Sequence, residues 1–155
     1  MKRHIALVPL SHDHHQGLLL VWKIRQGINW RISNSRMSKY ILYFSEHDLL
    51  LHFHKEETIL IIGLPPNDPL AQQMLQEHKK LRESLQAIKN NENEITFINE
   101  FANLLEGHIR FEERILFPHI QETTTLDNLA EQWKENTDVS FDIDQHWEDH
   151  FWNKK

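Results

Sequence analysis

The chain contains no cysteine among its 155 residues. This absence excludes disulfide bonds, thiolate zinc sites, cysteine-ligated iron–sulfur clusters and cysteine nucleophiles, so any metal chemistry must use imidazole and carboxylate donors. Basic residues are also in deficit, with 17 Lys and Arg against 23 Asp and Glu and a formal net charge of −6. A nucleic-acid surface needs a basic patch, and we therefore expect no nucleic-acid partner.

Long apolar runs are missing as well. No apolar stretch approaches the roughly 20 residues that span a bilayer, and the apolar part of the N-terminal MKRHIALVPL is too short for a secretory signal. The sequence thus predicts a cytoplasmic protein without a membrane partner. Its length fits a single domain over residues 1–155, with a core at about 10–120 and a flanking helix and tail at about 121–155.

Glycine and proline are scarce, with 4 and 5 residues, and they fall between long segments whose apolar residues have helical spacing. This pattern predicts an all-α fold. Four helices joined by short connectors favour an up-down-up-down antiparallel four-helix bundle. The predicted helices run from Ser11, as N-cap, to about Ile28, from about Ser35 to Ile62 before Gly63, from Asp68, as N-cap, to about Lys89, and from Asn93 or Glu94 to Pro118.

The region after the predicted bundle contains fewer signals of regular structure. Thr125 is a suitable N-cap for a short extra helix that ends at about Asn136. The last stretch, VSFDIDQHWEDHFWNKK, is acidic and aromatic without a clear period. We expect it to form a packing tail on the bundle.

Histidine is abundant, with 12 residues, and one histidine-containing stretch occurs twice. HFHKEETIL begins at His52, and HIRFEERIL begins at His108. Residues four apart on a helix project side by side, so His52 pairs with Glu56 and His108 pairs with Glu112. Leucine and isoleucine flank both pairs at helical steps, and both pairs are therefore predicted to face the core.

One further histidine lies on the apolar stripe of each remaining helix. A buried carboxylate or imidazole needs a partner, and a metal cation supplies one. Mixed nitrogen and oxygen donors suit iron or manganese, and zinc stays open. The predicted metal ligands are His14, His52, Glu56, His78, His108 and Glu112. Two alternatives remain at this point: His12 or His15 in place of His14, and Glu113 in place of Glu112.

Four stretches together resemble the hemerythrin-like family, also called HHE cation-binding domains. They are LSHDHHQGLLL, HFHKEE, EHKKL and HIRFEERILFP, and they cover roughly residues 10–120. Family members are four-helix bundles with a non-heme di-iron centre. The resemblance implies a single hemerythrin-like domain in which the four histidines are terminal ligands of two Fe ions. Glu56 and Glu112 would bridge the ions together with an oxo or hydroxo group.

The resemblance also implies a function: binding of dioxygen or nitric oxide, in sensing of oxygen, nitric oxide or iron, in scavenging or in storage. Family members that carry oxygen have two histidines four residues apart on the third helix. In this chain the residues four positions before and after His78 are Met74 and Arg82, so the second histidine of that pair is missing. The chain therefore resembles the branch with four histidines, which includes proteins linked to the nitric oxide response and to iron–sulfur repair.

Other classes of function stay open beside this expectation. The same centre could serve an enzyme that reduces dioxygen, peroxide or nitric oxide, although we expect binding rather than turnover. The chain could also be a zinc-bound or metal-free helical interaction module. A ferritin-like carboxylate protein is excluded by its Glu-x-x-His signature, because no histidine in the chain has a glutamate three positions before it.

Overall fold

The computed structural model describes residues 2–124, 126 and 142–153, and every regular element in these residues is helical. The predicted all-α class is therefore confirmed. Short π-helical stretches join some of the α-helices, so that the chain forms four long helical segments before residue 124. The α-helices are α1 (Val8–Asn29), α2 (Asn34–Phe44), α3 (Leu50–Lys55), α4 (Pro69–Asn90), α5 (Ile95–Phe111) and α6 (Phe117–Thr123).

Three π-helical stretches lie inside the second and fourth segments. Ser45–Leu49 joins α2 to α3, Glu56–Leu60 continues α3 into a 3₁₀ turn, and Glu112–Leu116 joins α5 to α6. The segments pack against one another, because α1 and α4 each contact both α2 and α5, and α2 also contacts α5. This arrangement is consistent with the expected four-helix bundle, and the up-down order of its helices stays a prediction.

Two predicted helix ends need correction, and one is confirmed. α1 begins at Val8, so Ser11 lies inside the helix and its assignment as N-cap was wrong. Asp68 caps α4 as predicted, because its carboxylate accepts hydrogen bonds from the backbone N–H groups of Leu70 and Ala71, both at 3.0 Å. The predicted end of the fourth segment at Pro118 was also wrong, since that segment continues to Thr123.

The helix passes Pro118 because the preceding turn is π-helical. The carbonyl of Glu112 accepts from the N–H of Phe117, five residues further on. If this pattern continued by one residue, the Glu113 carbonyl would accept from the N–H of residue 118. Residue 118 is proline and has no N–H. Arg3 replaces that donor, and its Nη2 lies 2.7 Å from the Glu113 carbonyl oxygen. The proline therefore leaves no unpaired carbonyl at this position.

The apolar core divides into two clusters. The first lies toward the α1–α2 and α4–α5 connections and includes Ile24, Tyr40, Ile88 and Phe101. The second lies toward the opposite ends of the segments and includes Leu10, Leu60, Met74, Phe117 and Ile120. On each segment the predicted ligands fall at the transition between the two clusters. A buried polar layer thus crosses the middle of the core.

The described part of the tail packs on the first cluster. Ile143, Phe151 and Trp152 are buried there, and a 3₁₀ turn, Asp144–His146, lies among them. Apart from Leu126, which is buried, the extra helix predicted from Thr125 to about Asn136 lies outside the described residues. Within the described ranges, every helix is too short or too polar to cross a membrane.

Candidate metal centre

All six predicted ligands are buried, with exposed fractions between 0% and 4%. Their donor atoms form two groups, and within each group one ligand atom from every residue lies within 4.8 Å of the others. Glu56 and Glu112 belong to both groups. The first group adds His14 and His52, and the second adds His78 and His108. Such a cluster of buried imidazoles and carboxylates could hold a metal.

The four histidines direct the same ring nitrogen, Nε2, toward the two shared glutamates. Oε1 of Glu112 lies 2.8 Å from His14 and 3.1 Å from His108. Oε1 of Glu56 lies 3.1 Å from His52 and 3.2 Å from His78. Each shared carboxylate is therefore close to imidazoles from two different helical segments.

The other ring nitrogen, Nδ1, meets a second carboxylate in every case. An ionised carboxylate only accepts hydrogen bonds, so Nδ1 carries a hydrogen, and when the ring is neutral Nε2 directs its lone pair toward the centre. This arrangement is typical of metal-binding histidines. The Nδ1 pairs are His14 with Glu113 at 2.8 Å, His52 with Asp13 at 3.1 Å, His78 with Glu57 at 2.6 Å and His108 with Glu77 at 2.8 Å.

Several buried donor atoms of the centre have no hydrogen-bond partner among the described residues. Buried polar atoms are nearly always paired, because an unpaired one has lost its hydration without compensation. The unpaired atoms include Nε2 of three histidines and three carboxylate oxygens, which would all be satisfied by a cation between them. They are Nε2 of His52, His78 and His108, both oxygens of Glu56 and Oε2 of Glu112.

The pKa values show how the cluster balances charge through protons. Burial opposes the charged form of His108, but the Glu112 carboxylate outweighs it and raises the pKa of His108 to about 10. The pKa of His52 also lies well above its usual value, since Glu56 and Asp13 outweigh the effect of burial. Burial would raise the pKa of Glu112, yet His108 and His14 hold it well below the usual range. A metal would take the place of these protons.

Each shared glutamate is the first residue of a π-helical stretch. The carbonyl of Glu56 accepts from the N–H of Ile61, and that of Glu112 accepts from Phe117, in both cases five residues further on. Such π-helical turns inside α-helices are frequent at functional sites. In both stretches the first glutamate is buried in the centre, while the second lies at the Nδ1 of a histidine.

The alternatives left open by the sequence separate in the structure. His12 and His15 are exposed, whereas His14 is buried in the cluster. Glu113 lies outside the two groups and accepts from Nδ1 of His14.

The acceptors of the Nδ1 hydrogen bonds were not predicted. Their sequence signal is regular. An acid directly precedes His14 and His78, and a second glutamate directly follows Glu56 and Glu112. These residues are Asp13, Glu57, Glu77 and Glu113.

The fold and the buried cluster define a helical protein with a candidate metal-binding core. The model of the hemerythrin HHE cation-binding domain matches residues 5–120 and, in a second match, residues 73–150. The chain belongs to this family, as its four motifs predicted. The second match begins in α4 before His78 and includes the second His-x-x-x-Glu-Glu stretch, in keeping with the internal repeat. Comparison with curated proteins and with solved structures gave no match.

Proposed function

We propose that the six residues bind two iron ions, and that dioxygen or nitric oxide binds there in sensing, scavenging or storage. The observation that supports this most directly is the sharing of Glu56 and Glu112 by both groups of donors. A carboxylate has two oxygens and can serve two cations at once. When bound, two irons would supply redox-active positions for a small ligand.

The choice of iron rests on the donor set. Each group offers two imidazoles and two carboxylates. These are the donors that iron and manganese prefer, while softer metals favour sulfur. Four protein donors per ion fall short of about six in an octahedral site, so positions for a ligand would remain.

A small cavity lies beside the histidines and limits the size of a ligand there. It encloses about 10 Å³ and is bordered by His14, His52 and His108. This volume is close to the roughly 10–15 Å³ that one water molecule needs, so the cavity suits a ligand of that size. Its remaining walls are largely apolar, and they include Phe44, Leu49, Phe53, Leu105 and Ile109.

Metal analysis of protein produced in iron-replete cells tests the first part of the proposal. About two irons per chain are expected, one for each group of donors. Stoichiometric zinc with little iron, or no metal at all, would support the interaction-module alternative instead.

The ligand is tested by absorption spectra of the anaerobically reduced protein before and after air, and then with nitric oxide. A new band that forms and disappears reversibly is the expected result. Continuous consumption of dioxygen or nitric oxide in the presence of a reductant would favour the enzyme alternative.

A further inference from the structure

A surface groove runs between α4 and α5, on the outer side of His108. Its volume is about 490 Å³, within the usual range for small-molecule sites. Both walls come from residues at helical steps, with Gln73, Glu77 and Lys80 on α4. The opposite wall consists of Leu104, Gly107, Arg110, Arg114 and Ile115.

The groove is basic although the chain as a whole carries a net charge of −6. Lys80, Arg110 and Arg114 line it, and Glu77 is the one acid in the lining. Glu77 is already engaged, because it accepts from Nδ1 of His108 at 2.8 Å. Among the described residues, neither Lys80 nor Arg114 forms an ion pair. These cationic groups are therefore available to an anion.

The apolar part of the groove is exposed. Leu104 and Ile115 lie on the α5 side, and Ile115 is 50% exposed. Arg110 is the more constrained of the two arginines, since its guanidinium lies 3.3 Å from Glu106. A ligand that suits both features has a flat apolar body and an anionic group.

Gly107 leaves the backbone of α5 accessible in the groove. It lies in the interior of α5, where glycine is less stable than alanine. A Cβ atom built there would meet nothing within 4 Å, so the packing of the chain itself does not require glycine. Close approach of another molecule to the helix backbone is a recognised use of glycine.

We propose that this groove binds a small amphipathic anion, a flat apolar body with one carboxylate or phosphate group. Arg114, Lys80 and Arg110 bind the anionic group, and the body lies on Leu104 and Ile115 over the bare backbone of Gly107. This site does not depend on the metal. Because Glu77 both lines the groove and holds His108, the bound anion lies next to a hydrogen bond of the metal centre.

Calorimetric titration of the full chain with 1-naphthyl phosphate and with 1-naphthoate tests the proposal. One-to-one binding is expected, at least about tenfold tighter than for 1-naphthol or inorganic phosphate, since each control lacks one half of the ligand. The tighter of the two anions identifies the preferred anionic group. Binding of 1-naphthol as tight as that of both anions would reduce the groove to an apolar patch and overturn the proposal.

Two variants locate the binding in the groove. Arg114→Gln is expected to weaken binding at least about tenfold, because it removes a charged donor. Lys79→Gln, at an exposed α4 position outside the groove, is the control and should bind as the unchanged chain does.

Gly107→Ala separates a ligand role from a structural one. It should raise the melting temperature, through higher helix propensity, while it weakens binding of the naphthyl anion. Asn99→Ala, at an exposed α5 position outside the groove, should leave binding unchanged. Unaltered binding in both Arg114→Gln and Gly107→Ala would overturn the proposal.

Discussion

Nδ1 of His78 lies 2.6 Å from Oε2 of Glu57, the residue that directly follows Glu56. Glu56 itself faces the other nitrogen of the same ring, with its Oε1 3.2 Å from Nε2. The doublet Glu112–Glu113 contacts His14 in the same way, at 2.8 Å on both sides of the ring. Each of these two histidines therefore lies between the two carboxylates of one pair of consecutive glutamates.

Glu57→Ala is the first test of this arrangement. Without its acceptor, Nδ1 of His78 no longer fixes the ring or its tautomer, and we expect metal affinity to fall by about 10- to 100-fold. Competition with a chelator measures the change. Arg82 also binds the Glu57 carboxylate, at 2.8 Å and 3.0 Å, so Arg82→Ala is the matched control that keeps the histidine contact. Equal affinity in Glu57→Ala and the unchanged chain would contradict the role.

Removal of a proposed ligand should have a larger effect. We expect His52→Ala and Glu112→Ala each to lose most of the bound iron, because each leaves at least one group of donors incomplete. His54→Ala is the control, since His54 is exposed and only two residues away. Metal content per chain is measured beside circular dichroism, which checks that each variant is folded. Full iron content in both ligand variants would place the metal elsewhere.

Much of the fold could be predicted because the helix boundaries carry local signals. Asp68 with Pro69 begins α4, as capping and proline rules require. The second segment ends at Gly63, close to the predicted position, although Gly63 lies in a 3₁₀ turn and lacks the positive φ of a glycine cap. The same rules failed at Pro118, because they assume α-helical hydrogen bonds. The π-helical turn and the compensating Arg3 are tertiary features, and Arg3 lies 110 residues away in the chain from the carbonyl it contacts.

The sequence could predict which histidines and glutamates face the core, but it could not predict the acids that accept hydrogen bonds from those histidines. The triplet Leu18–Leu20 allowed more than one rotation of α1, and only in the structure is Leu20 buried while its two neighbours are partly exposed. The acceptors of the histidine hydrogen bonds lie at the edge of the apolar stripes, where an acid usually indicates a solvated position. Asp13 and Glu77 find their partners on other helices, so their role depends on packing.

The tail should contribute to stability through one partly buried ion pair. Lys23 is only 4% exposed, and its ammonium donates to Asp144 at 2.6 Å and to the Tyr40 hydroxyl at 2.9 Å. Because Asp144→Ala would leave a buried charge without its partner, we expect it to lower the free energy of unfolding by about 2–3 kcal/mol. Urea denaturation measures this change.

A double variant tests the same pair. Lys23→Met removes the buried charge, so adding Asp144→Ala to it should cost much less than Asp144→Ala alone. Strictly additive effects of the two substitutions would show that the pair does not couple the tail to α1.

The cap of α4 should give a pH-dependent contribution to stability. Burial would raise the pKa of Asp68, but hydrogen bonds from His119 and from the backbone of Ala71 and Leu70 outweigh it and lower that pKa. A lowered pKa means that the ionised carboxylate stabilises the fold above the unfolded value of about 3.9, and that this contribution is lost as the pH falls through the folded value. Asp68→Ala should therefore lower the free energy of unfolding by about 1 kcal/mol at pH 7, and by less at pH 3. Denaturation at both pH values measures the difference, and an equal loss at pH 7 and pH 3 would show that the cap acts without its charge.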